Sequence, residues 1–137
     1  MKRKLSQFFL LILFLTSTAA YAADVRITDS TGIEVLVREI SIDYGGLLGS
    51  DKETEGIRVA QGEAYVTTKW TDLQSVAITG RDATVGRMTL EIVVKDGRKF
   101  AATLVRKGRM KLSGKSELGE YSIDLEKIKK ITVVSAK

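Results

Sequence analysis

From Met88 to Val94 every second residue is apolar: Met88, Leu90, Ile92 and Val94 alternate without a break, and Lys95-Asp96-Gly97 follows them. A period of two places these side chains on one face of a strand, whereas a helix would scatter them around its circumference. The turn restricts what comes next. A two-residue Asp-Gly turn would set Val94 opposite Lys99 and put Phe100 and Leu104 on the wrong face. A three-residue loop, a type I turn with Gly97 in the left-handed bulge position, sets Val94 opposite Arg98 and Ile92 opposite Phe100. It also brings Leu90 against Ala102 and Met88 against Leu104, so that one face is apolar. Register follows the buried face, and the three-residue loop is therefore predicted. Arg106-Lys107-Gly108 has the same form, with Gly108 in the bulge position, and predicts a second hairpin pairing Leu104 with Met110 and Ala102 with Leu112.

The rest of the chain repeats the theme, and nothing reads as a long amphipathic helix. Ile33, Val35 and Val37 share one phase while Ile40, Ile42 and Tyr44 share the other, so a bulge or sharp bend is expected near Arg38-Glu39. The glycine-bounded, charged stretch from Gly45 to Gly56 reads as a mobile loop. Short strands are expected at Ile57–Ala60, Ala64–Thr68 and Val76–Thr79. Trp70-x-x-Leu73-x-x-Val76-x-Ile78 and Leu125-x-x-Ile128-x-x-Ile131-x-Val133 share their apolar spacing, which suits a single helical turn handing over to a strand. The reading is an all-β fold: a small antiparallel barrel or sandwich of roughly eight to nine short strands, built as one barrel or two similar half-units, with helical turns near 70–75 and 125–129. Trp70 is expected in the core, because its repeat counterpart is Leu125, and Tyr44 and Tyr65 are expected as half-buried strand residues.

Ahead of this pattern stands an address. Lys2, Arg3 and Lys4 precede the apolar run Phe8 to Leu15, and a small-residue stretch ends in Ala20-Tyr21-Ala22. That order is a secretory signal peptide over residues 1–22 with cleavage after Ala22, since the apolar core is too short to span a bilayer. Residues 23–137 then form a single exported all-β domain with no transmembrane anchor after cleavage. The chain has 22 basic against 17 acidic side chains, and removal of the leader leaves 19 against 17, so the pI of 9.5 overstates the basicity of the mature protein. There is no Cys, no His and no Asn. These absences exclude disulfides, thiolate chemistry, imidazole zinc sites, His-based triads and N-glycosylation. An exported chain without Cys fits a bacterial envelope, periplasmic or secreted.

The Val94-to-Phe100 hairpin, the hairpin after it and Leu125-x-x-Ile128-Lys129-x-Ile131 resemble small SH3-like or Sm-like β barrels. The tail from Gly114 to Ile123 is similar to exported bacterial β domains of unassigned activity. The resemblance covers about the last fifty residues and implies fold and compartment, not a functional residue.

Few residues invite chemistry. Gly114-Lys115-Ser116 mimics the end of a P-loop, but Arg109 stands where the first glycine belongs and no helix pattern follows. Ser113, Lys115 and Ser116 lack the buried amine and oxyanion hole that a Ser-Lys nucleophile requires. Asp51, Glu53 and Glu55 alternate in the charged loop, without the spacing of a calcium hand. No cofactor and no metal site are expected, and the chain is read as a non-enzyme, with a carboxylate-based hydrolase as the remote alternative. The positive charge is more informative. Between Gly97 and Ser116 every charged side chain is basic. Lys99, Arg106, Lys107, Arg109 and Lys111 form a candidate anion-binding patch, expected on a solvent-facing sheet and a hairpin tip. The expected partner is an anionic envelope polymer (peptidoglycan, lipopolysaccharide or anionic lipid) rather than nucleic acid. The alternative is a protein-interaction or assembly subunit that engages an envelope protein through a sheet edge or the 45–56 loop.

Overall fold

Among the described residues, the alternating stretches at 88–94 and 33–44 form strands. The computed structural model describes residues 22–45, 51–82, 84, 86–105 and 109–136; all but Ala22 of the signal peptide read over 1–22, residues 46–50 of the loop read over 45–56, and the turn at 106–108 lie outside them. The strands are β1 (Asp24–Asp29), β2 (Glu34–Asp43), β3 (Lys52–Glu53), β4 (Gly56–Gln61), β5 (Ala64–Lys69), β6 (Leu73–Asp82), β7 (Arg87–Val94), β8 (Lys99–Val105), β9 (Lys111–Ser116), β10 (Gly119–Asp124) and β11 (Ile128–Ser135). Single 3-10 turns at Trp70–Asp72 and Leu125–Lys127 lead into β6 and β11, where the repeated apolar spacing puts them. All pairings are antiparallel, in one curled half-barrel sheet ordered β10-β9-β2-β1-β11-β6-β7-β8-β4-β5, with β3 against the end of β2. The described strands outnumber the roughly eight to nine expected, because ladder pairing makes strands of segments too short to show alternation.

The two half-units are real, and they meet at the centre of the sheet. There β11 pairs with β6, and Ile131 lies opposite Val76, its own counterpart in the repeat. On one side lie β6, β7, β8, β4 and β5; on the other lie β11, β1, β2, β9 and β10. The second unit takes β1 and β2 from the start of the chain, so its order along the sequence is permuted relative to the first. Hydrogen bonds follow the same correspondence. The N–H of Trp70 donates to the Glu55 carbonyl at 2.9 Å, and that of Leu125 to the Met110 carbonyl at 2.9 Å. Likewise Lys95 donates to Asp72, and Ser30 to Lys127.

The first hairpin has the expected register: Ile92 faces Phe100, Leu90 faces Ala102 and Met88 faces Leu104. The Val94 N–H reaches the Arg98 carbonyl at 3.0 Å, and Gly97 has φ 91°. A left-handed backbone there is strained for any residue with a Cβ.

The second hairpin does not form. Besides β7, β8 pairs with β4 through Ala60 and Thr103, and Leu112 in β9 faces Ile42 and Ile123 rather than Ala102. Alternation specifies which face of a strand is buried. It does not specify the neighbouring strand, and an apolar face is equally satisfied by β2 and β10.

The bend in β2 falls at Glu39, which has φ 50° and shifts the register against β9 between Arg38 and Ser41. The additional residue changes the phase, so Val37 and Ile40 both point inward. β9 passes this bulge at Gly114, where a Cβ would lie 2.6 Å from the Arg38 carbonyl oxygen and 2.6 Å from Val37 Cγ1. The glycine that mimics a P-loop is therefore a strand residue needed for close approach.

One apolar cluster runs through both units and includes Val25, Ile27, Val37, Ile42, Trp70, Val76, Leu112 and Ile128. Trp70 is 1% exposed, and its Nε1 has no hydrogen-bond partner.

Candidate functional site

Of the candidate basic patch, Lys99, Arg109 and Lys111 are among the described residues, and the strand order puts Lys99 and Lys111 on strands that do not pair. Lys99 begins β8, opposite Val93, and is exposed. Arg109 is exposed ahead of β9, and Lys111 opens that strand. The cross-strand neighbours of Lys111 are Asp43 on β2 and Asp124 on β10, so carboxylates flank it on both sides. Arg106 and Lys107 lie outside the described residues. The sheet that was to carry Lys99, Arg109 and Lys111 together, a β7-β8-β9 meander, is replaced by two strands in different half-units.

Other candidates resolve into structural contacts. Lys115 is exposed and pairs with Glu39 at 3.2 Å, a solvated ion pair rather than the buried amine of a nucleophile pair. Asp51 accepts two hydrogen bonds from the Arg58 guanidinium at 3.1 and 3.2 Å. Glu53, in β3, accepts the Glu55 N–H at 3.3 Å. Among the described residues no three carboxylates gather in a way that would hold a metal ion.

A cleft of about 140 Å³ lies between the half-units, lined by Tyr44, Asp51, Arg58, Tyr65 and Met110 among others. Tyr44, buried at the end of β2, accepts the backbone N–H of Arg58 on its hydroxyl at 2.7 Å. The Arg58 guanidinium lies 4.7 Å from the centre of the Tyr44 ring. Burial pushes the Tyr44 phenol up to about 12, outweighing the opposing hydrogen bond and charge of Arg58. Asp51 raises the pKa of Arg58 through its hydrogen bond and charge. The carboxylate, the guanidinium and the phenol are thus engaged with one another. This cluster clamps β4 to the end of β2 and to Asp51.

The strand expected at Ala64–Thr68 forms as β5, and what sequence reasoning missed is its place at the margin of the sheet. This strand is the terminal strand of the sheet, and its burial is low along its whole length. Tyr65, expected half-buried, is 68% exposed, and Val66 is 39% exposed. In the β4-β5 hairpin the two-residue turn Gly62-Glu63 closes the pair Gln61 and Ala64. In such a hairpin the closing pair exchanges hydrogen bonds and the pattern then alternates, so Ala64, Val66 and Thr68 bond towards β4. The N–H and C=O groups of Tyr65, Thr67 and Lys69 point to the open side. Arg58 supports this assignment, because it faces Thr67 yet sends its N–H to Tyr44. The signal was present in Ala64-Tyr65-Val66-Thr67-Thr68: four of the five residues have high strand propensity, and the run has no charge and no proline.

Comparison with protein families, with curated proteins and with solved structures finds no match to this chain.

Proposed function

We propose that the chain is an exported, non-enzymatic interaction module of a bacterial envelope that binds an extended protein segment by adding it as a strand beside β5. The observation that carries this reading is the outer side of β5, where backbone donors and acceptors face outward beside two exposed apolar side chains, Tyr65 and Val66. Such an edge recognises backbone through its ladder and side chains through the flanking surface. The lack of His and Cys and the leader over residues 1–22 support a binding role outside the cytoplasm. Cleavage after Ala22 takes nothing from the sheet, since β1 begins at Asp24. Intact mass of protein from an exporting host tests that step, and a chain retaining Met1 overturns it.

Thr67→Pro tests the edge. It removes an outward N–H while leaving the bonds of Ala64, Val66 and Thr68 to β4 in place. Envelope proteins retained by the unaltered chain should be lost by this variant at an unchanged thermal midpoint; equal retention would refute the edge as the site.

A second reading, binding of an anionic envelope polymer through Lys99, Arg106, Lys107, Arg109 and Lys111, is favoured by the exposure of Lys99, Arg109 and Lys111. Co-sedimentation with peptidoglycan and anionic vesicles at two salt concentrations tests it, and a charge-driven interaction should weaken as salt rises.

A further inference from the structure

We infer that the segment seated on β5 is the β5 of a second copy of this chain, paired antiparallel about a two-fold axis at Val66. This rests on the reading of β5 as a strand-accepting edge and names its occupant.

Two constraints select the register. The first is hydrogen-bond parity. Only Tyr65, Thr67 and Lys69 turn their backbone groups outward, so opposed hydrogen-bonding residues must both be odd-numbered. Three central registers satisfy this: Tyr65 against Tyr65, Tyr65 against Thr67, and Thr67 against Thr67. The second constraint is charge. Glu63 and Lys69 sit near the two ends of the strand, and neither has an ion-pair partner among the described residues. In the first register Lys69 faces Gln61, and in the third it faces Tyr65. In the second, Lys69 of each copy faces Glu63 of the other, which forms two symmetric pairs, and Val66 meets its own copy on the axis.

The same register extends the apolar face. Val66 lies opposite the buried Val59 in the hairpin. Pairing at Val66 therefore continues the apolar strip from one copy into the next and covers side chains that are exposed in the single chain. The other terminal strand, β10, does not offer this. It carries Glu120 and Asp124 and no base, so self-pairing there opposes like charges. An isologous contact at β5 also closes at two copies rather than growing into a fibre. A single added strand pair buries less than the roughly 1,600 Å² of a standard interface, so the dimer is weak and concentration-dependent.

Sedimentation equilibrium of the purified protein, up to about 1 mM, should show a monomer–dimer equilibrium. Thr67→Pro should abolish the dimer with an unchanged thermal midpoint. Glu63→Lys and Lys69→Glu should each weaken association about tenfold, because both symmetric ion pairs become repulsive. The double substitution should restore it, since each pair is re-created with its signs exchanged. The register has its own probe, as the chain contains no cysteine. Val66→Cys should oxidise to a disulfide-linked dimer, because a non-hydrogen-bonded pair on the axis lies within disulfide reach. Thr68→Cys, two residues along on the same face, should not, since Ala64 faces it. An unaltered protein that stays monomeric throughout, with no cross-linked Val66→Cys dimer, overturns self-pairing. Loss of envelope-protein capture by Thr67→Pro under those conditions would still support strand addition with another occupant. Dimerisation unaffected by Thr67→Pro would place the contact elsewhere and overturn the proposal.

Discussion

Replacing Gly114 by alanine should be among the most damaging single-methyl additions to this protein, although the residue sits in a segment that reads like a polar turn. The methyl carbon would be placed 2.6 Å from the Arg38 carbonyl oxygen and 2.6 Å from Val37 Cγ1, with Ile40 Cγ2 at 3.3 Å. Neither near neighbour can swing away. The carbonyl belongs to the bulge of β2, and Val37 is fully buried. The two strands must part by most of an ångström, which strains the Arg38–Lys115 bridge. Overpacking and a weakened ladder bond together should cost about 2–4 kcal/mol. For a chain of this size that lowers the thermal midpoint by about 8–16 °C. Two other glycines calibrate the measurement. At Gly97 a Cβ meets nothing within 4 Å, but φ is 91°, so the same substitution should cost only the left-handed strain of about 1–2 kcal/mol. At Gly80 the nearest atoms are Thr89 Cβ and Oγ1 at 3.7 Å with no positive φ, so alanine there should be neutral or stabilise by about 0.5–1 kcal/mol. Urea and thermal unfolding of the three variants should therefore rank Gly114→Ala below Gly97→Ala and Gly97→Ala below Gly80→Ala. A Gly114→Ala protein as stable as the unaltered chain would refute the close passage of β9 over the bulge.

Tyr44→Phe should cost about 1–3 kcal/mol in urea unfolding, because the Arg58 N–H loses the hydroxyl that accepts it. With the folded phenol raised to about 12 from an ordinary 10, the unfolded chain ionises first. The stability of the unaltered protein should therefore fall as pH rises from 10 to 12, and the Phe variant should lack that component. Trp70, the sole tryptophan and 1% exposed, should emit at short wavelength and resist acrylamide quenching. Trp70→Ala should cost about 3–5 kcal/mol, and Trp70→Phe clearly less, since it also removes an Nε1 donor that has no partner. The Thr31 hydroxyl, together with the backbone N–H groups of Ile33, Thr31 and Gly32, holds the Asp29 carboxyl below its ordinary 3.8. A depressed folded pKa stabilises above the unfolded value and is lost as pH falls through the folded one. The midpoint difference between Asp29→Ala and the unaltered chain should accordingly be present at neutral pH and shrink as acid protonates the lowered carboxyl.

Much of the fold was legible wherever the controlling physics is local. The Gly97 loop could be read because a bulge-type turn leaves one consistent apolar face, and the bend at Glu39 because the apolar phase changes there. The helical turns at Trp70 and Leu125 could be read because their spacing recurs. The candidate site was far less legible. Lys99 and Lys111 are close in sequence, but proximity along the chain does not make β8 and β9 neighbours. The β5 edge was missed because Tyr65 and Val66 look like any strand pair with one buried face.

The amino-acid sequence by itself determined an all-β protein, the sign of φ at Gly97, the inward face of β7, the change of phase in β2 and the pairing of β7 with β8. These follow from steric preference and two-residue periodicity, which act within a few residues. Only the tertiary structure decided that β9 joins β2, that the second half-unit borrows β1 and β2 from the start of the chain, and that β5 and β10 become the outer strands. The ladder of N–H and C=O groups is nearly identical for every strand, so hydrogen bonding cannot choose among partners. That choice falls to which set of apolar faces closes a common core around Ile131 and Val76, and the strands left at the margins keep their outer edges open.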